Sequence, residues 1–287
     1  MATDYLALKK GGFMRQVQKD RFSLRLRVVG GQISAEQIAK VSEIAQRFGH
    51  GYIHMTSRQG IEIPFIALQD IDTVKQELAS VGLQPGACGP RVRTVTACQG
   101  AAICPSGLIE TSALAKELDA RYFGRELPHK FKIGITGCKN NCLKAEENDL
   151  GIKGGVLPVW QADKCTYCGV CQAVCPPGAI LVDKEKKTLA LDASACTYCG
   201  RCVKSCPTEA WTGRSGYIVS FGGMFGNQIR RGEALLPLLF EKEQLFAVVD
   251  TTLRFFAEHG RAGERFAMTL GRVGGDTLKA ELTEALK

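Results

Sequence analysis

The chain has 287 residues, 45% apolar and 23% charged, the composition of a globular protein with enough material for a buried core. Its formal charge of +8 comes from scattered basic residues, and two tryptophans with six tyrosines offer little for base stacking, so the charge points to small anions or a polyanionic cofactor and away from nucleic acid. No run of eighteen apolar residues occurs and the start, MATDYLALKKGGFMRQ, lacks the apolar middle of an export signal, so the cytoplasm is the expected compartment. Thirteen cysteines, an odd number at short repeated spacings, then read as reduced metal-holding thiolates and not as disulfides.

The first ninety residues alternate strand and helix signals. FSLRLRVVGG (22–31) has strand composition. Ser34 and Gln37 form a capping box ahead of a helix that places Ile38, Val41, Ile44, Ala45 and Phe48 on one face and closes on Gly49. In GYIHMTSRQGIEIPFI, Ile53 and Met55, then Ile61, Ile63 and Phe65, keep the two-residue period of a half-buried strand. Asp70 is placed to cap a second helix carrying Ile71, Val74, Leu78 and Val81. This β-α-β-(β)-α order predicts a small split βαβ sandwich over residues 1–90, bounded by the turn-rich LQPGACGPR. A second domain is expected over 91–160 and 211–287, with a glycine-rich turn SFGGMFGNQIRR and a helix from Glu241 to His259.

Between those halves, residues 161–210 hold eight cysteines in an internal repeat, CTYCGVCQAVCPPGAI recurring as CTYCGRCVKSCPTEAW, and read as an insertion. Each repeat is C-x2-C-x2-C-x3-C-P, a spacing that wraps three thiolates around one cubane and sends the fourth to its neighbour. One [4Fe-4S] cluster is therefore expected on Cys165, Cys168, Cys171 and Cys206, and a second on Cys196, Cys199, Cys202 and Cys175. Tandem runs ending in Pro176 and Pro207 favour iron–sulfur over structural zinc. Such a pair carries single electrons and does no substrate chemistry, so another part of the chain must receive them.

Cys98 and Cys104 in ACQGAAIC, with Cys138 and Cys142 in GCKNNC, supply four more thiolates, enough for a third cubane. Their wide, unequal spacings leave cluster faces open, which is useful if one sulfur must also touch another metal centre.

These two pairs resemble the cluster signature of the sirohaem-containing sulfite and nitrite reductases, and the resemblance extends over nearly the whole chain. MTSRQGIEI looks like that family's T-x-R-Q strand, GPRVRTVTAC like its arginine segment, LPHKFKIGITGC like its K-F-K strand, and NDLGIKGG with YIVSFGGMFGN like the flanks of the sirohaem pocket. The inserted module is similar to that of dissimilatory-type reductases and of the catalytic component of anaerobic sulfite reductase. The resemblance implies an α+β fold: a ferredoxin-like split βαβ half-domain, an α/β sirohaem and [4Fe-4S] domain, and an inserted bacterial-type ferredoxin module. It implies Cys142 as the axial ligand of sirohaem and Arg58, Arg93, Lys130 and Lys132 as a cationic cage, whose crowding lowers lysine pKa values toward proton donation. Gly222, Gly223, Gly226 and Asn227, with Arg230 or Arg231, are expected to cradle sirohaem carboxylates. His129 stands where the family often has arginine, and Cys88 is expected to be a buried or idle thiol.

The implied activity is six-electron reduction of sulfite to sulfide, with nitrite to ammonia as the close variant. An electron carrier without sirohaem and a sirohaem-handling protein without turnover are the other readings. No G-x-G-x-x-G follows a strand, so a separate donor protein or partner subunits must deliver the electrons. Family members usually carry two copies of the domain pair and this chain one; the resemblance therefore implies a homodimer in which Cys142 of one protomer faces Arg93, Lys130 and Lys132 of the other.

Overall fold

The computed structural model describes residues 3–287. Helix α1 (Tyr5–Lys10) starts where the Asp4 carboxylate accepts the N–H groups of Leu6 and Ala7. There follow β1 (Phe13–Arg15), β2 (Arg21–Arg25), α2 (Ala35–Phe48), β3 (His54–Met55), β4 (Ile61–Ala67) and α3 (Ile71–Ala79), with the strands in the antiparallel order β1-β2-β4-β3. The Ser34–Gln37 capping box forms as expected, and Val41, Ile44 and Ala45 bury against Ile61, Ile63, Ile66, Val74 and Leu78. Each such side chain contributes roughly 1.5–3 kcal/mol by leaving water.

Four expectations for this lobe differ in detail. Ile38 is 37% exposed, because the inward stripe of α2 starts a turn later, and Met55 is 66% exposed on a two-residue edge strand. The alternation in β4 breaks at a bulge: Phe22 pairs with Ile66 and Leu24 with Ile63, so Pro64 and Phe65 together face Ser23. Phe65 takes φ 68° and turns outward to stack on His50 at 4.9 Å, leaving Ile66 to fill the core. Asp70 sits at the start of α3 with αR geometry, and its side chain caps nothing.

The second lobe contains β5 (Thr96–Ala97), α4 (Thr111–Tyr122), β6 (Ile133–Thr136) and β7 (Leu150–Trp160). After the inserted stretch with α5 (Val170–Ala173), β8 (Ile180–Asp183), β9 (Thr188–Leu191) and α6 (Arg201–Ser205) come β10 (Trp211–Phe221), β11 (Glu233–Ala234), α7 (Lys242–His259), α8 (Phe266–Val273) and α9 (Gly275–Ala285). The sheet order is β11-β10-β7-β6-β5; β5, β6 and β7 run parallel and β7 pairs antiparallel with β10. All four residues of β6 are buried, the continuous apolar run of a strand covered on both faces. Phe131, Phe256 and Phe266 interlock edge-on and tilted beneath it. The β7–β10 ladder runs without a break to Trp160 opposite Trp211, and residues 161–210 hang from its end. No helix among the described residues is long and apolar enough to cross a membrane.

Several polar ties hold the lobes together, two of them through Arg27 and Gln59. Arg27 pairs with the buried Asp119 at 2.7 Å, and Gln59 exchanges two hydrogen bonds with the backbone of Ala97, taking the place of a strand beside β5.

Candidate cluster and cofactor site

The repeat in the inserted stretch is also a repeat of backbone. Tyr167 and Tyr198 take φ 53° and 55°, Gly169 and Gly200 take φ 83° and 69°, and a short helix, α5 or α6, follows each glycine. Cys165, Cys168, Cys171 and Cys206 line one small cavity, the grouping expected from the crossed spacing. Cys196 and Cys199 are the charge neighbours of Cys202, whose thiol burial pushes up to about 11; Cys175 lies in the same apolar cluster. Among the described residues no three His, Cys, Asp or Glu side chains converge as a single metal ion would require.

The second set is assembled by the parallel strands. Cys98 follows β5 and Cys138 follows β6, so both leave the carboxyl ends of neighbouring strands, where open α/β sheets place their ligands. Cys98 Sγ accepts the Gly137 N–H at 3.0 Å, and Cys104, Cys142 and Cys98 are the charge neighbours of Cys138. Asn141 in GCKNNC takes φ 53°, and its side chain accepts the Ala145 N–H at 2.9 Å, which fixes the turn that presents Cys142 to the surface.

Cys142 borders a cavity of about 440 Å³ shared with Ser57, Arg58, Thr96, Lys132, Lys144 and Phe225. Arg58 comes from the other lobe. The T-S-R-Q stretch expected as strand is the turn between β3 and β4, closed by Thr56 N–H to Gly60 O at 2.8 Å. From it Arg58 donates to Asn148 Oδ1 at 2.8 Å and to Thr94 O at 3.1 Å, and burial lowers its pKa to about 10. Lys130 and Lys132 flank the buried Phe131 just before β6, on the face away from the core. Burial, then Arg58 and Arg265, bring Lys132 down to about 8, and Lys130 is lowered by burial, Arg265 and Arg93.

Beneath these cations lies Asp149, fully buried, which accepts the Lys132 N–H at 2.9 Å and binds Arg265 at 3.0 Å. Burial raises its carboxyl against the pull of Arg265. Neither residue carries a motif signal; Asp149 stands in NDLGIKGG without an assigned role, and Arg265 lies 116 positions away. The Arg93 guanidinium donates to Ala87 O and Gly89 O and faces a separate cavity of about 140 Å³ with Arg25 and Arg58. Cys88 is buried, as expected, and accepts from Arg25 at 3.4 Å.

The Gly222 N–H is taken by Asp149 O, and Gly223 is a close approach, where a Cβ would lie 2.1 Å from Glu146 O. Gly226 and Asn227 sit on an exposed tip between Met224 and Arg230, which bond to each other through their backbones. Arg231 is held by Glu146 at 2.6 Å, beside the buried Lys153–Glu146 pair, while Arg230 lines a further cavity of about 740 Å³ with Met224 and Met268. Arg58, Lys132 and Cys142 meet on one cavity within a single chain, whereas the expected dimer set Lys132 of one protomer against Cys142 of the other.

Fold and gathered cysteines together define an iron–sulfur redox protein built on a ferredoxin-like half-domain. Residues 14–81 match the nitrite/sulfite reductase ferredoxin-like half domain and residues 88–287 the nitrite and sulphite reductase 4Fe-4S domain, and the chain belongs to the nitrite and sulphite reductase family. A coenzyme F420-dependent sulfite reductase of Methanocaldococcus jannaschii is 34% identical over 90% of this chain and 41% of its own length. An uncharacterized protein of that organism is 32% identical over 98% of this chain and 96% of its own. A component of the anaerobic sulfite reductase of Salmonella typhimurium is 32% identical over 55% of this chain and 50% of its own length. This chain thus spans half or less of the two relatives named as reductases. Dissimilatory sulfite reductase I has the same fold, with a TM-score of 0.75 and 20% identity over 92% of this chain and 69% of that one.

Proposed function

We propose that the cavity at Cys142 reduces sulfite to sulfide with six electrons, sirohaem and three [4Fe-4S] clusters being the cofactors. The observation that carries this is an exposed cysteine of a four-thiol set opening into the same cavity as Arg58 and Lys132. The donor set fits the cofactor: Cys142 would offer a thiolate to the iron, and Lys144 on the same cavity, with Arg230 on a further one, would offer positive charge to its carboxylates. When bound, sirohaem would supply an electron-rich iron at which bonds to oxygen are cleaved.

The chain's own residues supply the rest. Arg58 and Lys132, with Lys130 and Arg93 behind them, hold an oxyanion by charge in a partly desolvated space. Lys132 Nζ passes on protons one at a time, each replaced from solvent through the open cavity, as the three oxygens leave as water. Electrons enter by way of the inserted module. Its second cysteine run packs on the loop carrying Cys104: Lys204 Nζ donates to Pro105 O at 2.7 Å, and Tyr198 O accepts the Val156 N–H at 2.9 Å. The cluster of Cys196, Cys199 and Cys202 is therefore the proximal relay and that of Cys165, Cys168 and Cys171 the entry. An external donor protein or partner subunits feed it, and the cytoplasm keeps the thiols reduced.

A homodimer is retained as a proposal on the exposed apolar rim of Phe225, Ile229 and Met268, and not on a need to bring Lys132 to Cys142. Sedimentation of the loaded protein at twice the chain mass is the expected result. Anaerobic preparation with sirohaem supplied should give roughly thirteen irons per chain and a tetrapyrrole band. Sulfite-dependent oxidation of reduced methyl viologen tests turnover, with nitrite as the competing substrate; iron without tetrapyrrole would leave an electron carrier.

A further inference from the structure

The geometry points to Trp211 as a potential-setting residue for the entry cluster, its indole N–H donating to a sulfur at the Cys165, Cys168, Cys171 and Cys206 site. This rests on the proposal that the inserted module holds [4Fe-4S] clusters. Trp211 is the first residue of β10, only 3% exposed, and its ring forms part of the wall of the cavity those four cysteines line. Its Nε1 is buried and closes no hydrogen bond, although the ring lies against the Cys171 thiol. A buried indole N–H ordinarily finds an acceptor, and sulfur is what this cavity offers.

Other donors already converge on the same site. The backbone N–H groups of Thr208, Ala210 and Trp211 itself face the Cys206 sulfur, and the Thr208 hydroxyl lies 3.7 Å from it. The position is rigid. Trp160 stands directly opposite Trp211 at the end of the β7–β10 ladder, and Ile180 and Cys202 pack in the same apolar cluster. Hydrogen bonds to cluster sulfur stabilise the more negative, reduced state and so raise the reduction potential. One electron from the external donor enters the cluster while the indole proton stays on nitrogen.

The test uses full-length, cluster-loaded protein under potentiometric control. In Trp211→Phe, which keeps the aromatic ring and removes the donor, one of the clusters should show a reduced-to-oxidised ratio about tenfold lower at fixed potential, a shift of roughly 59 mV for a one-electron couple, with the others unmoved. Pulsed EPR of the wild type carrying 15N-indole tryptophan should show nitrogen coupling to that reduced cluster, which needs no variant to fold. Clusters present with unchanged potential, or without the coupling, overturn the assignment to Trp211 alone. A wild-type module that binds no iron overturns the proposed module and this inference with it.

Discussion

Lys132 is held where its charge is disfavoured. Burial, Arg58, Arg265 and Lys130 lower its pKa to about 8, and Asp149 is the opposing influence. Below that pH it is an ammonium able to give a proton, and above it an amine. Turnover should therefore fall as pH rises through about 8. Lys132→Arg, which keeps its proton, should lose at least about tenfold in turnover and shift that limb upward in a pH–rate profile. A limb that stays in place would remove Lys132 as the donor. Asp149→Asn preserves shape and an acceptor for the Lys132 N–H but strips Arg265 of its partner; a loss of about 3–5 kcal/mol in urea unfolding is expected. The contrast between these residues explains what could be read in advance. Metal-ligand spacings are local, so the twelve cysteines proposed to hold clusters stood out along the chain. The Asp149–Arg265 pair spans 116 positions and exists only once the core has closed.

At the scale of elements, the Ser34 capping box and the Glu241–His259 helix were legible because each depends on residues within one turn. The bulge in β4 was not, since Phe65 continues the alternation by composition; Pro64, which cannot donate to a ladder, was the unread signal. Gly223 shows how an element sets the site. Gly223→Ala would drive a methyl into Glu146 O and Asn148 O, displacing the segment between Cys142 and Asp149, and a loss of about 1–3 kcal/mol in thermal unfolding is expected. The module itself should be removable. Trp160 and Trp211 are direct partners, so a two-residue Asn-Gly turn in place of 161–210 continues the hairpin in register. The shortened protein should keep its unfolding transition and the iron held by Cys98, Cys104, Cys138 and Cys142 while losing roughly two-thirds of its total iron in a metal assay.

At the scale of the whole molecule, the two lobes meet with charges unevenly divided. The second lobe supplies all twelve cysteines of the proposed clusters and Lys132, whereas Arg58 reaches the cavity from the first lobe on a five-residue turn, Thr56–Gly60, steadied by Gln59 against Ala97. Gln59→Ala should thus weaken anion binding through loss of Arg58 placement, seen as a higher KM for sulfite with the visible spectrum unchanged. The sequence announced the first lobe by its periodicities and the second by its turn boundary and paired cysteines, but nothing in it says that one turn carries the join.

That small hook makes colour and competence separable. In protein loaded with the proposed clusters, a loosened first lobe would leave every iron-holding thiol in place and the brown hue intact, yet the chamber would have lost one wall of positive charge and would no longer retain its guest. Gentle heating or a nick near residue 85 would then leave a pigmented husk, so that absorbance is a poor gauge of how many molecules in a preparation are able to work.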